Sequence, residues 1–166
     1  AYVAGALSLE DAVRVVALRS RAIAEELVGK GGMVSVGLPA EDLRRRLSEF
    51  GGEVSIAAFN GPMSTVVAGS PEALEALVAA CEADEVRARW IAVDYASHTA
   101  QVERLRERLL ADLAPIRPRR SDIPFYSTAT GALLDTTRLD AQYWFDSLAS
   151  PVLFEQATRA LLGDGC

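Results

Sequence analysis

The sequence is poor in the residues that disulfide-rich, metal-binding and nucleic-acid-binding proteins need. Its 166 residues include only two cysteines, Cys81 and Cys166, and one histidine, His98. Two distant cysteines are too few for a disulfide framework or a zinc site, so we expect a reducing compartment and no metal site. The 17 basic and 23 acidic residues give a net charge of −6. This sign disfavours surfaces that bind phosphates or anionic lipid, so nucleic acid and membranes are not expected partners.

Long apolar runs are also missing. No segment approaches the roughly 20 apolar residues of a membrane-spanning helix, and no charged-then-apolar leader opens the sequence. The composition, with 50% hydrophobic and 24% charged residues, is typical of a globular protein and excludes disorder or a collagen-like chain. The first residue is Ala1 rather than Met, and the end follows an apolar helical run. We therefore expect a piece of a longer polypeptide that is truncated at both ends.

The first patterned segment predicts a helix over residues 9–28. Ser8 and Asp11 form a start that resembles a capping box, and the segment contains neither Gly nor Pro. At 100° per residue, one predicted apolar stripe contains Ala12, Val15, Val16, Ile23 and Leu27. Arg19 falls in the middle of this stripe.

Residues 33–93 alternate between strand and helix patterns. Strand patterns cover 33–38, 54–59, 65–68 and 86–93, and helical patterns follow Pro39 and Ser70. Asn60-Gly61-Pro62 predicts a hairpin turn between the second and third strands. The order β-α-β-β-α-β is that of a ferredoxin-like unit. We therefore predict an α/β protein in which this subdomain is inserted into, or leans on, a body formed by residues 1–32 and 94–166.

The last part of the chain predicts three helices and a strand. A helix with inward Val102 and Leu109 follows His98, and a strand covers residues 123–128. An aromatic-rich helix then spans residues 141–148, and Pro151 opens a final helix.

Two residues are candidates for chemistry. His98 lies between a strand end and a helix start, where α/β proteins place reactive groups, although a surface loop histidine is the simpler interpretation. Arg19 must either reach the surface or find a buried anion, because an unpaired buried charge is costly. That anion is either a protein carboxylate or a substrate carboxylate held bidentately. No motif for a nucleotide or metal cofactor is present.

Several segments resemble the acyltransferase domains of modular type I polyketide synthases, relatives of malonyl-CoA:acyl-carrier-protein transacylases. The matching segments, in chain order, are residues 1–12 with Arg19, Asn60-Gly61-Pro62 with residues 66–69, Tyr95-Ala96-Ser97-His98, residues 124–128, and Tyr143-Trp144 with Pro151-Val152. In these domains the Tyr-Ala-Ser-His tetrapeptide accompanies methylmalonyl-CoA. The resemblance covers the whole chain and implies a ferredoxin-like subdomain inserted in a partial α/β-hydrolase-like body.

The resemblance also implies a reaction. A serine in a G-H-S-x-G elbow takes the acyl group from an acyl-CoA and passes it to the phosphopantetheine thiol of an acyl carrier protein. No cofactor is implied, and the partners are the acyl-CoA, the carrier protein and neighbouring synthase domains. The serine is expected upstream of Ala1.

Five residues receive roles from the resemblance. His98 matches the catalytic base, and Arg19 matches the arginine that pairs with the free carboxylate of a malonyl-type group. Tyr95 and Ser97 match positions associated with the choice of extender unit. Asn60 is placed among the substrate-binding residues.

Two departures from the family pattern and two alternatives remain. The nucleophile elbow that the resemblance implies a few residues before Ala1 is not in this sequence, and neither are the family's upstream oxyanion-hole glutamine and far C-terminal strand. The second departure is at the other end of the sequence. Residues 147–149 read Ser-Leu-Ala where many relatives have Asn-Leu-Arg, near the backbone that accepts a hydrogen bond from the catalytic histidine. One alternative is a ferredoxin-like interaction module without catalysis, and the other is a fatty-acid-type malonyl transacylase or another Ser-His acyl hydrolase. The enzyme hypothesis requires Arg19 and His98 to face one cavity.

Overall fold

A computed structural model describes residues 1–165, so the prediction about Cys166 lies outside the described residues, whereas Cys81 is a buried free thiol. Six α-helices and six β-strands lie within this range. The helices are α1 Leu9–Glu26, α2 Ala40–Leu47, α3 Pro71–Ala83, α4 Arg106–Leu113, α5 Ala141–Ala149 and α6 Phe154–Gly163. The strands are β1 Gly32–Val36, β2 Val54–Gly61, β3 Ser64–Gly69, β4 Ala88–Trp90, β5 Tyr126–Ser127 and β6 Ala132–Leu133.

Strands β1 to β4 form an antiparallel sheet in the order β2-β3-β1-β4. With α2 and α3, they follow each other along the chain in the β-α-β-β-α-β order that the sequence predicts. Because successive strand residues point to opposite faces, Val34 and Val36 pack under the two helices while Met33 lies on the other face. On that second face Met33 shares a cluster with Ala96, two residues before His98.

A second core joins α1, α4 and α5. Phe145 is fully buried there, with Ala22 of α1 and Leu109 of α4. The helix after His98 starts as a 3₁₀ turn, Ala100–Leu105, before α4 begins. This core holds α1, which carries Arg19, beside α5.

The segment before α6 lies along the edge strand β2 of the four-stranded sheet, which we call the small sheet. Val152 donates to the Ala57 carbonyl at 2.8 Å and accepts from the Phe59 N–H at 2.8 Å, and it forms a parallel bridge with Ala58. These bonds use the backbone of Val152, and the Leu153 N–H donates to the Thr128 carbonyl at 2.6 Å, so α6 begins at Phe154 instead of Pro151 as predicted. They also fix Ser150, two residues earlier, against the chain that carries His98.

Several predicted boundaries are wrong. The strand predicted over 86–93 is ordered as β4 only from Ala88 to Trp90, and the one over 123–128 is the two-residue β5, paired with β6. Asn60 lies in β2, and the turn consists of Pro62 and Met63.

The apolar stripe of α1 is also narrower than predicted. Val15 and Ala22 are buried, but Val16 is 66% exposed. Only one side of the helix packs against α4, and Val16 faces a cavity lined also by Tyr2 and Trp144.

Candidate active site

His98 is held by the carboxyl end of α5. Its backbone N–H donates to the Leu148 carbonyl at 2.9 Å, and its Nδ1 lies 2.7 Å from the Ser150 carbonyl oxygen. Its φ of 60° is left-handed, a conformation that costs a non-glycine residue energy and persists only where the surroundings impose it. The two backbone acceptors supply that constraint.

The Ser150 contact decides which ring nitrogen of His98 can act as a base. A carbonyl oxygen only accepts, so Nδ1 carries the proton and Nε2 keeps its lone pair. Burial lowers the pKa of His98, the Ser150 hydrogen bond acts in the opposite direction, and the charge of Arg19 lowers the pKa further. The ring is therefore neutral at pH 7, and within residues 1–165 no hydrogen bond occupies the Nε2 lone pair.

Arg19 is a half-buried cation on α1 without a carboxylate partner among residues 1–165. Its Nη1 donates to the Ser147 hydroxyl at 3.4 Å, and no salt bridge includes it, whereas Arg21 on the same helix pairs with Glu25 at 2.8 Å. Burial lowers the pKa of Arg19, and Tyr95 raises it. Arg19 also lines the cavity of about 270 Å³ that contains Val16 and Trp144. The arrangement leaves most of the guanidinium donors available to an anion.

The segment before His98 lies between the small sheet and the helical core. Gly31 permits this approach, since a Cβ there would lie 2.7 Å from the Cβ of Ala96. Tyr95 packs against the helical core, near Arg19. Ser97 is 6% exposed, and its hydroxyl donates to the Met33 sulfur at 3.4 Å.

The structure places three of the five predicted site residues within electrostatic range of one another, since the charge of Arg19 lowers the pKa of His98 and Tyr95 raises the pKa of Arg19. These side chains therefore do not lie on opposite sides of the molecule, although the cavity that Arg19 lines is lined by neither His98 nor Tyr95. Ser97 is directed toward the sheet instead. Asn60 is exposed at the end of β2, and within residues 1–165 its side chain makes no hydrogen bond.

Sequence reasoning missed Ser147 and Ser150 as contacts of the site. Ser150 contributes a backbone carbonyl, which has no side-chain signal. Ser147 had one signal, its departure from the Asn of relatives. Within the described range, no group of three or more His, Cys, Asp or Glu side chains is placed to hold a metal, and no helix has the length and apolarity to cross a bilayer.

Comparison with known proteins identifies the family. The sequence profile described as the acyl transferase domain matches residues 1–165. The chain belongs to the acyl transferase domain family. The domain is 56% identical over 165 residues to the polyketide synthase GfsE of Streptomyces halstedii, covering 99% of this chain and 4% of that protein. It is 51% identical over 166 residues to an erythronolide synthase of Saccharopolyspora erythraea, covering 99% and 5%.

Solved structures show the same fold. The acyltransferase domain from module 8 of the salinomycin polyketide synthase superposes with a TM-score of 0.93 at 53% identity, over 98% of this chain and 38% of that one. A loading acyltransferase from the avermectin modular polyketide synthase gives 0.94 at 44% identity, over 98% and 52%. The acyl transferase domain is therefore an α/β protein that spans about half or less of these solved chains.

Proposed function

We propose that this domain takes part in moving a carboxylated acyl group from coenzyme A to the phosphopantetheine thiol of an acyl carrier protein within a modular polyketide synthase. The observation that carries the proposal is Arg19, a half-buried cation that hydrogen-bonds to a hydroxyl, has no carboxylate partner in residues 1–165, and lies within electrostatic range of Tyr95 and His98. A buried guanidinium is costly unless an anion meets it, and a substrate carboxylate is such an anion. The similarity to polyketide synthases supports the same reaction.

His98 is proposed as the base. Its Nε2 takes the hydroxyl proton of a nucleophilic serine encoded upstream of Ala1, and the serine oxygen attacks the thioester carbonyl of the acyl-CoA. The carbon–sulfur bond breaks, the proton on Nε2 passes to the coenzyme A thiolate, and an acyl-serine remains. In the second half-reaction Nε2 takes the carrier thiol proton, the thiolate attacks the acyl-serine, and the same proton returns to the serine.

Arg19 is proposed as the anchor of the acyl carboxylate. A guanidinium binds a carboxylate through two parallel N–H donors, a geometry that Lys cannot reproduce. Its nearness to His98 would hold the carboxylate end of the acyl group a few bonds from the reacting carbonyl.

Methylmalonyl-CoA is the proposed extender. A methyl group contributes only about 0.8 kcal/mol of transfer free energy, so selection depends on steric room more than on attraction. Ser97 is small and lies against Met33, and we propose that this leaves space for the α-methyl group. Tyr95 would shape the same wall from the Arg19 side, and Asn60 would contact substrate from the exposed end of β2.

The subdomain organisation completes the proposal. The antiparallel order β2-β3-β1-β4 with two covering helices supports a ferredoxin-like subdomain over residues 33–93. Residues 1–32 and 94–166 would then belong to a partial α/β-hydrolase-like body. The partners would be acyl-CoA, the carrier protein and neighbouring synthase domains in the cytoplasm, with no resident cofactor.

Mass spectrometry after incubation with methylmalonyl-CoA tests the reaction class. A polypeptide extended upstream through the proposed serine should gain one methylmalonyl group, and residues 1–166 alone should gain none. His98→Gln in the extended polypeptide should slow acylation strongly because it removes the Nε2 base. Acylation of residues 1–166 alone would contradict the location of the nucleophile, and no acylation of the extended polypeptide would favour a non-catalytic interaction module.

A further inference from the structure

We propose that Ser147 is a positioning residue that holds the Arg19 guanidinium in place without neutralising its charge. The inference rests on the proposed function and names a specificity-determining residue for it. Ser147 lies on α5, and Arg19 lies 128 positions earlier in the chain, on α1. Their contact is the one side-chain hydrogen bond that the Arg19 guanidinium makes within residues 1–165.

The guanidinium can only donate, so Ser147 is the acceptor in this hydrogen bond, and a second hydrogen bond determines where the hydroxyl proton points. The Ser147 hydroxyl has a single proton, and it donates that proton to the Trp144 carbonyl at 3.0 Å, one turn earlier on α5. The lone pairs of the oxygen are then left for Arg19, whose Nη1 lies 3.4 Å away. Ser147 is therefore oriented as an acceptor by the backbone of its own helix, before any ligand is present.

The neutrality of the acceptor matters as much as its position. A carboxylate at this place would also orient the guanidinium, but it would form an ion pair with Arg19 and compete with an incoming carboxylate. A hydroxyl uses one of the five N–H donors and leaves the full charge and the remaining donors free. Ser147 thus restricts the rotation of Arg19 in advance, which lowers the entropy lost when a carboxylated acyl group binds.

This role is separate from the orientation of His98. The acceptors of His98 are the carbonyl oxygens of Leu148 and Ser150, which do not depend on the side chain at position 147. A change at Ser147 should therefore alter the choice between acyl groups and leave the base in place.

The test compares kcat/KM for methylmalonyl-CoA and propionyl-CoA in the polypeptide extended upstream through the nucleophile. Ser147→Ala should lower the methylmalonyl-to-propionyl ratio about five-fold, the effect of one lost hydrogen bond, mainly through KM. Ser147→Cys keeps the size of the side chain but is a weak acceptor, so the ratio should fall by a similar factor. Ser147→Thr keeps the hydroxyl acceptor, so the ratio should equal that of the unaltered protein. Ser147→Asp should lower it furthest, because it neutralises Arg19.

Thr158→Ala is the matched control. Thr158 is an exposed hydroxyl on α6 that donates to the Phe154 carbonyl at 2.8 Å, so the variant loses the same kind of helix contact away from Arg19. Its ratio should equal that of the unaltered protein. If Ser147→Ala and Ser147→Cys keep the ratio, or slow both acyl groups equally, the inference is wrong. If the unaltered protein transfers neither acyl group, the proposed function itself is wrong. This outcome is distinguishable from failure of the Ser147 inference because it is measured without any substitution.

Discussion

Replacing Arg19 by Ala tests the anchor most directly. The structure shows a guanidinium with one neutral contact at 3.4 Å and no ion pair in residues 1–165, so the substitution breaks no internal salt bridge. It should leave the melting temperature unchanged or raise it slightly, because a half-buried unpaired cation costs energy in the folded state. A loss of function without a loss of stability is therefore expected.

The size of the functional effect follows from the donors that a carboxylate would lose. Hydrogen bonds between charged partners contribute about 1.5–3 kcal/mol. Counting only one net bond, since water competes at the open side of the cavity, the preference for methylmalonyl over propionyl should fall about 10- to 150-fold in kcat/KM. Arg19→Lys should recover part of this loss through its charge but not the bidentate geometry.

The assay is acyl transfer by the extended polypeptide, with both acyl-CoA substrates measured under the same conditions. Arg21→Ala is the matched control, because Arg21 is an exposed arginine on the same helix, paired with Glu25. This control should alter neither rate, since exposed pairs contribute little. Equal losses for the two acyl groups in Arg19→Ala would refute the anchor role.

The pH profile of propionyl transfer tests His98. Burial and the Arg19 charge both lower the pKa of His98, so the acid limb of kcat/KM should lie below the ordinary value of 6.5. Arg19→Ala removes one of these causes and should move the limb to higher pH. Phe145→Ala should destabilise the fold by about 3–5 kcal/mol in denaturant titrations, because Phe145 is fully buried. Gly31→Ala adds a Cβ 2.7 Å from another side chain and should cost about 1–3 kcal/mol in the same titrations, whereas Gly163→Ala meets no neighbour within 4 Å and should not.

The helices were the most predictable part of the fold. Local capping predicts that α1 starts after Ser8 and α3 after Ser70. Both caps are formed: the Asp11 N–H donates to the Ser8 hydroxyl at 3.0 Å, and the Ala73 N–H donates to the Ser70 hydroxyl at 3.3 Å. These signals act within one turn of helix, so a sequence window contains them. The β-α-β-β-α-β order followed from the same local patterns.

Strand lengths and side-chain directions were less predictable because they depend on distant partners. Pro151 is a helical start signal, but the backbone of Val152 pairs with β2 and the helix begins only at Phe154. Val16 fits the apolar stripe of α1 by period, yet α4 packs on the other side of the helix. Ser97 is beside His98 in sequence and still points to Met33 of the small sheet.

For the candidate site, sequence placed Arg19 on a mostly apolar helix face but left its partner open. The structure removes the protein-carboxylate interpretation for residues 1–165, because the guanidinium hydrogen-bonds to a hydroxyl and forms no ion pair there. That contact joins positions 128 residues apart, and no local pattern encodes it. The tautomer of His98 likewise depends on a carbonyl 52 residues away.

The departure of residues 147–149 from the Asn-Leu-Arg pattern now has a physical explanation. The histidine is oriented by the carbonyl oxygens of Leu148 and Ser150, and every amino acid supplies a carbonyl oxygen, so the side chain at position 147 is free to change without disturbing the base. In this chain position 147 is a serine, whose hydroxyl donates to the Trp144 carbonyl and accepts from the Arg19 guanidinium. The carboxyl end of α5 therefore contacts the proposed base through its backbone and the proposed anchor through one side chain, so substitutions there should change substrate choice more readily than they change the chemistry.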